Sequence, residues 1–372
     1  MPKQQLDTDR LMRPIAHFSH AVRIGDVIHI GATAGTDAAR RLAGTTSGLA
    51  DAAAQSAQMF RNIATGLEAF GASVRDIVRL KIYLADLRDL SAYRAAFNAA
   101  LGDQTLDHAI VGAWGFPLPQ ALLEADVVAV VGKTKTPFTC TIGPAAEGSA
   151  GGMTPAAQMN AALDRLDEQL ANARLGRRDI VNLHVTLADA RDLAAFISAY
   201  RWRFQAPFPA VTLVGAPLTD PYARVQIEAT AVAGGGEPIL VDGVRAAFEY
   251  ASPAVAAGDD VYLSAQSGFD ETQPSGIEPQ TRATWAALTR VLAAAGLTRE
   301  HILRTSNVLV DWRDYQGFNA GYGANVTTPY PPRVTVLNTL AHPLARVQIE
   351  GLAHRHGDRA TVLTVPGPLG SL

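Results

Sequence analysis

Acidic residues stand at equivalent places in three similar apolar segments of this 372-residue chain. Asp126 lies in LLEADVVAVV, Glu228 in ARVQIEATAV and Glu350 in ARVQIEGLAH. A carboxyl group on an apolar strand can act as a general acid or base, and it can also close an ion pair at an interface. These acids are therefore the first candidates for proton transfer, and the elements around them decide between the two roles.

The acidic segments belong to an internal repeat. The string ARVQIE occurs at 223–228 and again at 345–350, which is 122 residues later. Upstream of each closing segment, a glutamine precedes an isoleucine by 22 residues, as in the pairs Gln55 and Ile77, Gln158 and Ile180, Gln280 and Ile302. Apolar residues three and four apart after each glutamine predict an amphipathic helix, and the alternation after each isoleucine predicts a strand.

The repeat divides the chain into three units, at 14–132, 133–236 and 240–356, each with the order strand, helix, strand, helix, strand. Units 1 and 3 open with a candidate hairpin, whereas unit 2 offers only FTCTIG. The first strand of unit 2 is therefore either missing or supplied by the linker. A sheet with helices on one face leaves its edges and inner face uncovered, so we expect the three units to close around one another.

Composition narrows the class of protein. The 32 Lys and Arg residues against 35 Asp and Glu residues give a net charge of −3, so we expect no nucleic-acid partner. The start lacks the apolar stretch of a signal peptide, and no apolar run approaches the roughly 18 residues that span a bilayer. We expect a cytoplasmic protein without a membrane partner. His354 and His356 alternate on a strand without a third ligand, so we expect neither a metal nor a cofactor.

The repeated residues resemble the RidA family, also called YjgF/YER057c/UK114. The resemblance rests on the opening hairpin with a glycine in its turn, the helix ending AAAGL, and the segments DWRDYQGFN and PPRVTV. It covers nearly the whole chain three times and is closest in unit 3. It implies an α+β fold like that of the bacillary chorismate mutases, arranged here as a single-chain pseudo-trimer with ligand sites between units. It also implies hydrolysis of reactive imines and enamines such as 2-aminoacrylate.

The family's site residues, carried over position by position, separate the three units. The arginine that binds the substrate carboxylate falls on Arg333, where unit 2 has Ala210 and unit 1 has His108. The family's asparagine falls on Asn319, and its acid linked to the catalytic water falls on Glu350. Only unit 3 therefore holds all three, which implies one working site.

Further residues follow from the same resemblance. The family's tyrosine maps to Phe18 in unit 1 and to Tyr250 in unit 3, and Ser264 is a candidate for the floor of the substrate site. His108 with Asp126 forms a second candidate site. The sequence leaves open which unit supplies the acid that faces the arginine.

These residue types suit hydrolysis of a small carboxylate-bearing imine or enamine. A guanidinium binds a planar carboxylate with two parallel hydrogen bonds, and Glu350 would orient or deprotonate water. Two alternatives remain, which are a pathway-specific hydrolase of an aromatic or heterocyclic compound in the same pocket and a non-catalytic protein that binds a small carboxylate. Because one chain already provides closed symmetry, we expect a monomer or a dimer.

Overall fold

Three β-sheets, each packed against two α-helices, make up the protein. The structure is a computed structural model that describes residues 2–104, 106–133, 137–143, 151–273 and 275–367. Unit 1 contains β1 (Lys3–Thr8), β2 (Ala21–Ile24), β3 (Val27–Ala34), α1 (Ala52–Glu68), β4 (Ile77–Leu84), α2 (Leu90–Leu101), β5 (Asp107–Gly112) and β6 (Leu123–Val130). Unit 2 contains β7 (Phe138–Ile142), α3 (Pro155–Asn172), β8 (Ile180–Leu187), α4 (Leu193–Arg203), β9 (Ala210–Gly215) and β10 (Val225–Ala231). The remaining elements are β11 (Glu237–Ile239), β12 (Ala254–Ala257), β13 (Asp260–Gln266), α5 (Ile277–Ala294), β14 (Ile302–Leu309), α6 (Tyr315–Gly323), β15 (Arg333–Leu337), β16 (Val347–His354) and β17 (Ala360–Val365).

The same four strands form the centre of each sheet. Their orders are β3-β6-β4-β5 in unit 1, β7-β10-β8-β9 in unit 2 and β13-β16-β14-β15 in unit 3. The first three strands of each set are antiparallel, and the last strand pairs in parallel at the edge. Among the residues that the structure describes, unit 2 has the single strand β7 where the other units have a hairpin, so the hairpin's first strand is missing there.

Each long helix carries a buried glutamine that holds the loop before the closing strand. The side chain of Gln55 donates to the Gln120 carbonyl at 3.0 Å and accepts from the Leu122 amide at 2.9 Å. Gln158 and Gln280 make the same pair of bonds in their own units. The glutamine at the constant spacing thus has a structural role, because both the nitrogen and the oxygen of each buried side-chain amide are hydrogen-bonded to the loop before the closing strand.

The two ends of the described chain add an extension that the repeat does not predict. β1 pairs in parallel with β17 and antiparallel with β2, which makes the unit 1 sheet seven-stranded. The Lys3 ammonium donates to the carbonyls of Glu300 at 2.6 Å and Ile302 at 3.1 Å. The chain end that follows unit 3 therefore completes the edge of unit 1.

The units close into a ring through edge-strand contacts. Backbone hydrogen bonds of 2.7–2.9 Å join them pairwise, from Gly112 to Pro217, from Gly215 to Thr339 and from Trp114 to Leu337. Each unit has its own apolar core, and a further buried cluster takes residues such as Val111, Leu218 and Val336 from all three units. Burial of this shared cluster requires all three units together. None of the described helices has the length and apolar character needed to cross a membrane.

Candidate active site

Arg333 begins β15, the edge strand of unit 3, where that strand meets unit 1. Its backbone amide lies against Gly31 of β3, where a β-carbon would approach to 2.7 Å. Ser19 and Pro332 form a bridge across the same boundary. Glycine is thus required at position 31 for the two strands to approach this closely.

The Arg333 side chain is almost fully buried, at 3 % exposure, and is held from one side. One terminal nitrogen, Nη2, donates to Asn319 Oδ1 at 2.5 Å and contacts the Tyr315 hydroxyl at 3.4 Å. The guanidinium carbon lies 4.6 Å from the ring centre of Tyr322 and 5.8 Å from that of Phe18. The other terminal nitrogen, Nη1, has no hydrogen-bond partner among the residues that the structure describes. A buried donor without a partner is costly, so this nitrogen is available to a ligand.

The acid at this site comes from unit 1 and is Glu124. It is the second residue of the closing strand β6 and is 3 % exposed, and its Oε2 has no hydrogen-bond partner among the described residues. Burial raises the pKa of Glu124 to about 8, and the nearby Arg333 charge opposes this rise only in part. At neutral pH the carboxyl group is therefore mostly protonated and can donate a proton.

Arg333 and Glu124 line one narrow pocket between the units. Its other walls are apolar or small side chains of both units, namely Met12, Ile15, Phe18, Ala32, Ala34, Pro117, Leu118, Tyr315 and Thr335. The pocket has a volume of about 20 Å³, enough for a water-sized group beside the two polar side chains. Phe18, which holds the family tyrosine's place in unit 1, lies near the arginine because the pocket joins unit 3 to unit 1.

Glu350 is not brought to Arg333. Arg333 pairs with Thr305 and Glu350 pairs with Ser306, so the two side chains leave opposite faces of the unit 3 sheet. Glu350 instead lies 3.4 Å from Arg304 and 3.8 Å from His184 of unit 2. Burial raises the pKa of Glu350, and Arg304 partly opposes the rise.

The acids equivalent to Glu350 occupy the same central cluster. Asp126 lies 3.4 Å from Arg79 of its own unit and 3.6 Å from Arg304 of unit 3. Glu228 accepts from Arg79 at 2.9 Å and from Lys81 at 2.6 Å. Burial alone would raise the pKa of Glu228, but the two cations outweigh it and lower that pKa to about 2. These acids therefore close ion pairs between units, and Asp126 does not join His108.

Tyr250 and Ser264 lie at a different boundary, between units 3 and 2. The Ser264 hydroxyl donates to the Ser252 carbonyl at 2.6 Å and accepts from the Val211 amide at 2.8 Å. Tyr250 packs edge-on against Phe208 at 6.0 Å and lies beneath the Arg201 guanidinium. Both contact unit 2 because the opening segment of unit 3 faces unit 2, whereas Arg333 faces unit 1.

His108 lines a separate, wider pocket between units 1 and 2. Its Nε2 lies 2.7 Å from the Tyr93 hydroxyl, and its ring stacks on Phe97 at 4.6 Å. Burial, with a contribution from Arg94, lowers the pKa of His108 to about 4, so the ring is neutral at pH 7. Gln226 stands there at the place equivalent to Glu124 and lines the pocket, which measures about 360 Å³. This boundary therefore lacks both the arginine and the acid.

Sequence reasoning missed Glu124 and the ring stack under the arginine. The available signal was strand alternation, because Glu124 and Asp126 share one face of β6, although only Glu124 lines the Arg333 pocket. At the equivalent place unit 3 has Gln348, which donates to the Leu213 carbonyl of unit 2 at 3.2 Å. Among the described residues, no group of three or more His, Cys, Asp or Glu side chains is arranged to hold a metal ion.

Comparison with known proteins agrees with this three-unit arrangement. The family model described as Endoribonuclease L-PSP matches residues 8–131, 139–233 and 242–355. The chain belongs to this family. RidA and RutC proteins are similar to it. The three matches of the family model, together with the three sheets of the structure, confirm the predicted α+β fold of three tandem units. Membership of the RidA family supports binding of a small molecule.

Individual relatives match either about one unit or three quarters of the chain. A RutC family protein of Pyrococcus abyssi is 27 % identical over 103 residues, which is 28 % of this chain and 78 % of the relative. The RidA structure from an Antarctic Psychrobacter is 26 % identical and covers 34 % of this chain and 98 % of its own, with a TM-score of 0.31. A chorismatase structure is 12 % identical over 75 % of this chain and 93 % of its own, with a TM-score of 0.54, and shares the fold.

Proposed function

We propose that the pocket between units 1 and 3 hydrolyses a small imine or enamine that bears a carboxylate, such as 2-aminoacrylate, to a keto acid and ammonia. The observation that carries this proposal is that Arg333 and Glu124 line the same pocket. An unpartnered guanidinium nitrogen and an unpartnered, neutral carboxyl group face one small pocket. This combination suits a substrate with an anionic end and a carbon or nitrogen atom to be protonated.

Arg333 would bind the substrate carboxylate. Its Nη1 is unpartnered, while Asn319 fixes Nη2 and the Tyr322 ring supports the guanidinium plane. The positive charge also favours addition of water to the neighbouring carbon, since it offsets the carboxylate charge that opposes the addition. The arginine therefore both orients and activates the substrate.

Glu124 would transfer the protons. The neutral carboxyl group first donates its proton to C3 of the enamine, which forms the iminium ion and leaves a carboxylate. That carboxylate takes a proton from water as the water oxygen bonds to C2, and returns it to the amino nitrogen. Collapse of the C2–N bond releases ammonia, and the hydroxyl proton restores the carboxyl group. The net reaction adds one water and yields a keto acid and ammonia.

A small substrate requires less widening of this pocket than the larger aromatic or heterocyclic alternative does. Its volume is about 20 Å³, and aromatic side chains already fill the space around Arg333. A bulky ring would have to displace side chains from both units, which is unfavourable in a close-packed interior.

The test measures ammonia and pyruvate release from 2-aminoacrylate that a serine dehydratase generates in the assay. We expect acceleration by the wild type and a loss of at least tenfold in Arg333→Ala. Arg245→Ala, which removes an exposed arginine of the same unit, is the matched control and retains the acceleration. Saturable binding of pyruvate without any acceleration would instead establish the non-catalytic alternative.

A further inference from the structure

A second cavity lies where all three units meet and is separate from the Arg333 pocket. It measures about 150 Å³ and is lined by equivalent strand positions, with Arg79 from unit 1, Asn182 from unit 2 and Arg304 from unit 3. The equivalence of these positions places the cavity on the pseudo-threefold axis. A cavity of this size can hold a body as large as benzene.

The polar side of the cavity carries hydrogen-bonding atoms that the described residues do not satisfy. His29 is 4 % exposed, and its Nδ1 has no partner. Arg304 Nε also has no partner, and Arg304 Nη1 makes only long contacts, at 3.4 Å to Glu350 and 3.6 Å to Asp126. Arg79, by contrast, donates to Glu228 at 2.9 Å. Arg304 is thus the cation of the cluster that lacks a close acid.

The charged groups around Arg304 leave room for an added anion. Glu228, which lines the cavity, is already held by Arg79 and Lys81. Burial raises the pKa of Glu350, so the acid on Arg304 carries less negative charge at a given pH than an exposed glutamate would. Asp260 lies at the wall of the cavity, beside Tyr262. A ligand anion must therefore sit on the Arg304 and His29 side.

Aliphatic side chains of units 1 and 3 line much of the remaining wall, beside polar side chains such as His184, Thr230 and His354. The aliphatic side chains are those of Ile24, Val27, Val78, Val128, Val130, Leu303 and Leu352. Leu303 and Leu352 also pack with Val22 and Ile24 in a buried apolar cluster across the boundary between the units. Apolar surface of this kind gains free energy when a nonpolar body replaces water.

We propose that this axial cavity binds a small organic acid with an apolar body, whose carboxylate contacts Arg304 and His29 while the aliphatic side chains enclose the rest. The site forms only when all three units pack together, because each unit contributes lining residues. It differs from the Arg333 pocket in its larger volume and in being lined by residues of all three units.

The probe for this site is 4-fluorophenylacetate, observed by fluorine NMR on the full-length protein. We expect saturable binding by the wild type and an unchanged affinity in Arg333→Ala, which empties the other pocket of its charge. Arg304→Gln should weaken binding at least tenfold, because a charge-assisted hydrogen bond is lost. The neutral amide of the same acid should bind at least tenfold more weakly than the acid.

Because Arg304→Gln also alters the ion-pair cluster, two space-filling variants keep the test independent of folding. Val128→Phe and Leu352→Phe fill the apolar side and leave the charges in place, so each should weaken binding at least tenfold. Val362→Phe, at a side chain that is 56 % exposed on β17, is the control and should bind as the wild type does. The proposal is overturned if the wild type does not bind the probe, if Arg333→Ala alone abolishes binding, or if both filled variants bind normally.

Discussion

Replacing Glu124 by glutamine separates the ionisation of this side chain from its shape. The wild-type carboxyl group has its pKa raised to about 8 by burial, against an ordinary value of 4.5. The folded state therefore binds the proton more tightly than the unfolded state. Stability falls as the pH rises through the interval from about 4.5 to about 8, since folding must then either keep the proton or bury a charge.

The size of the effect follows from this pKa difference. Between pH 5 and pH 9, the ionisation of Glu124 should remove about 4 kcal/mol from the free energy of unfolding of the wild type. Glu124→Gln lacks this loss. The difference in unfolding free energy, variant minus wild type, should therefore increase by about 4 kcal/mol across the same interval, even if glutamine costs some stability at pH 5.

Urea unfolding at pH 5, 7 and 9 measures this difference. Glu237→Gln removes an exposed carboxyl group and controls for the lost charge. If the difference between Glu124→Gln and the wild type stays constant with pH, or decreases, then the carboxyl group of Glu124 is not a buried neutral acid. The assignment of Glu124 as proton donor would then fail.

Three further changes test the site and the interfaces that hold it. Arg333→Lys should raise KM by about 10- to 100-fold in ammonia-release kinetics, because a point charge replaces the planar pair of donors. Gly31→Ala places a β-carbon 2.7 Å from the Arg333 amide, so it should cost about 1–3 kcal/mol in urea unfolding and raise KM as well. Glu228→Ala leaves two buried cations, Arg79 and Lys81, without their closest acid and should cost about 3–5 kcal/mol at pH 7. Because the pKa of Glu228 is lowered to about 2, this cost should shrink as the pH falls below about 4.5.

The sequence predicts well what depends on local pattern within one unit. The helices that contain Gln55, Gln158 and Gln280 form where the apolar spacing predicts them, and each begins three residues before its glutamine. They form there because each buries one face against its own sheet. Asn319 does bond Arg333, since both belong to unit 3 and the helix α6 leads directly to β15. Among the described residues, unit 2 lacks the hairpin's first strand, which is one of the two alternatives that its short opening allows.

The sequence does not determine which unit faces which. Glu124 lines the Arg333 pocket because β3 of unit 1 packs against β15 of unit 3 and β6 pairs with β3, and no periodicity within a unit reveals that contact. The same ambiguity misplaces Tyr250 and Ser264, which face unit 2. The resemblance assigns Glu350 to the site by its position in the closing strand. In unit 1, however, the pocket is lined by Glu124, whereas Asp126, two residues later on the same face and equivalent to Glu350, belongs to the axial ion pairs.

The proposed function requires that Arg333 of unit 3 and Glu124 of unit 1 act on one bound substrate. A double-mutant cycle on kcat/KM for 2-aminoacrylate hydrolysis tests it most directly, with Arg333→Ala, Glu124→Gln and the combined variant beside the wild type. Groups that act as a unit are not additive, so the combined variant should be within about threefold of the slower single variant. Losses that multiply in full would show that the two residues act independently and would contradict the account.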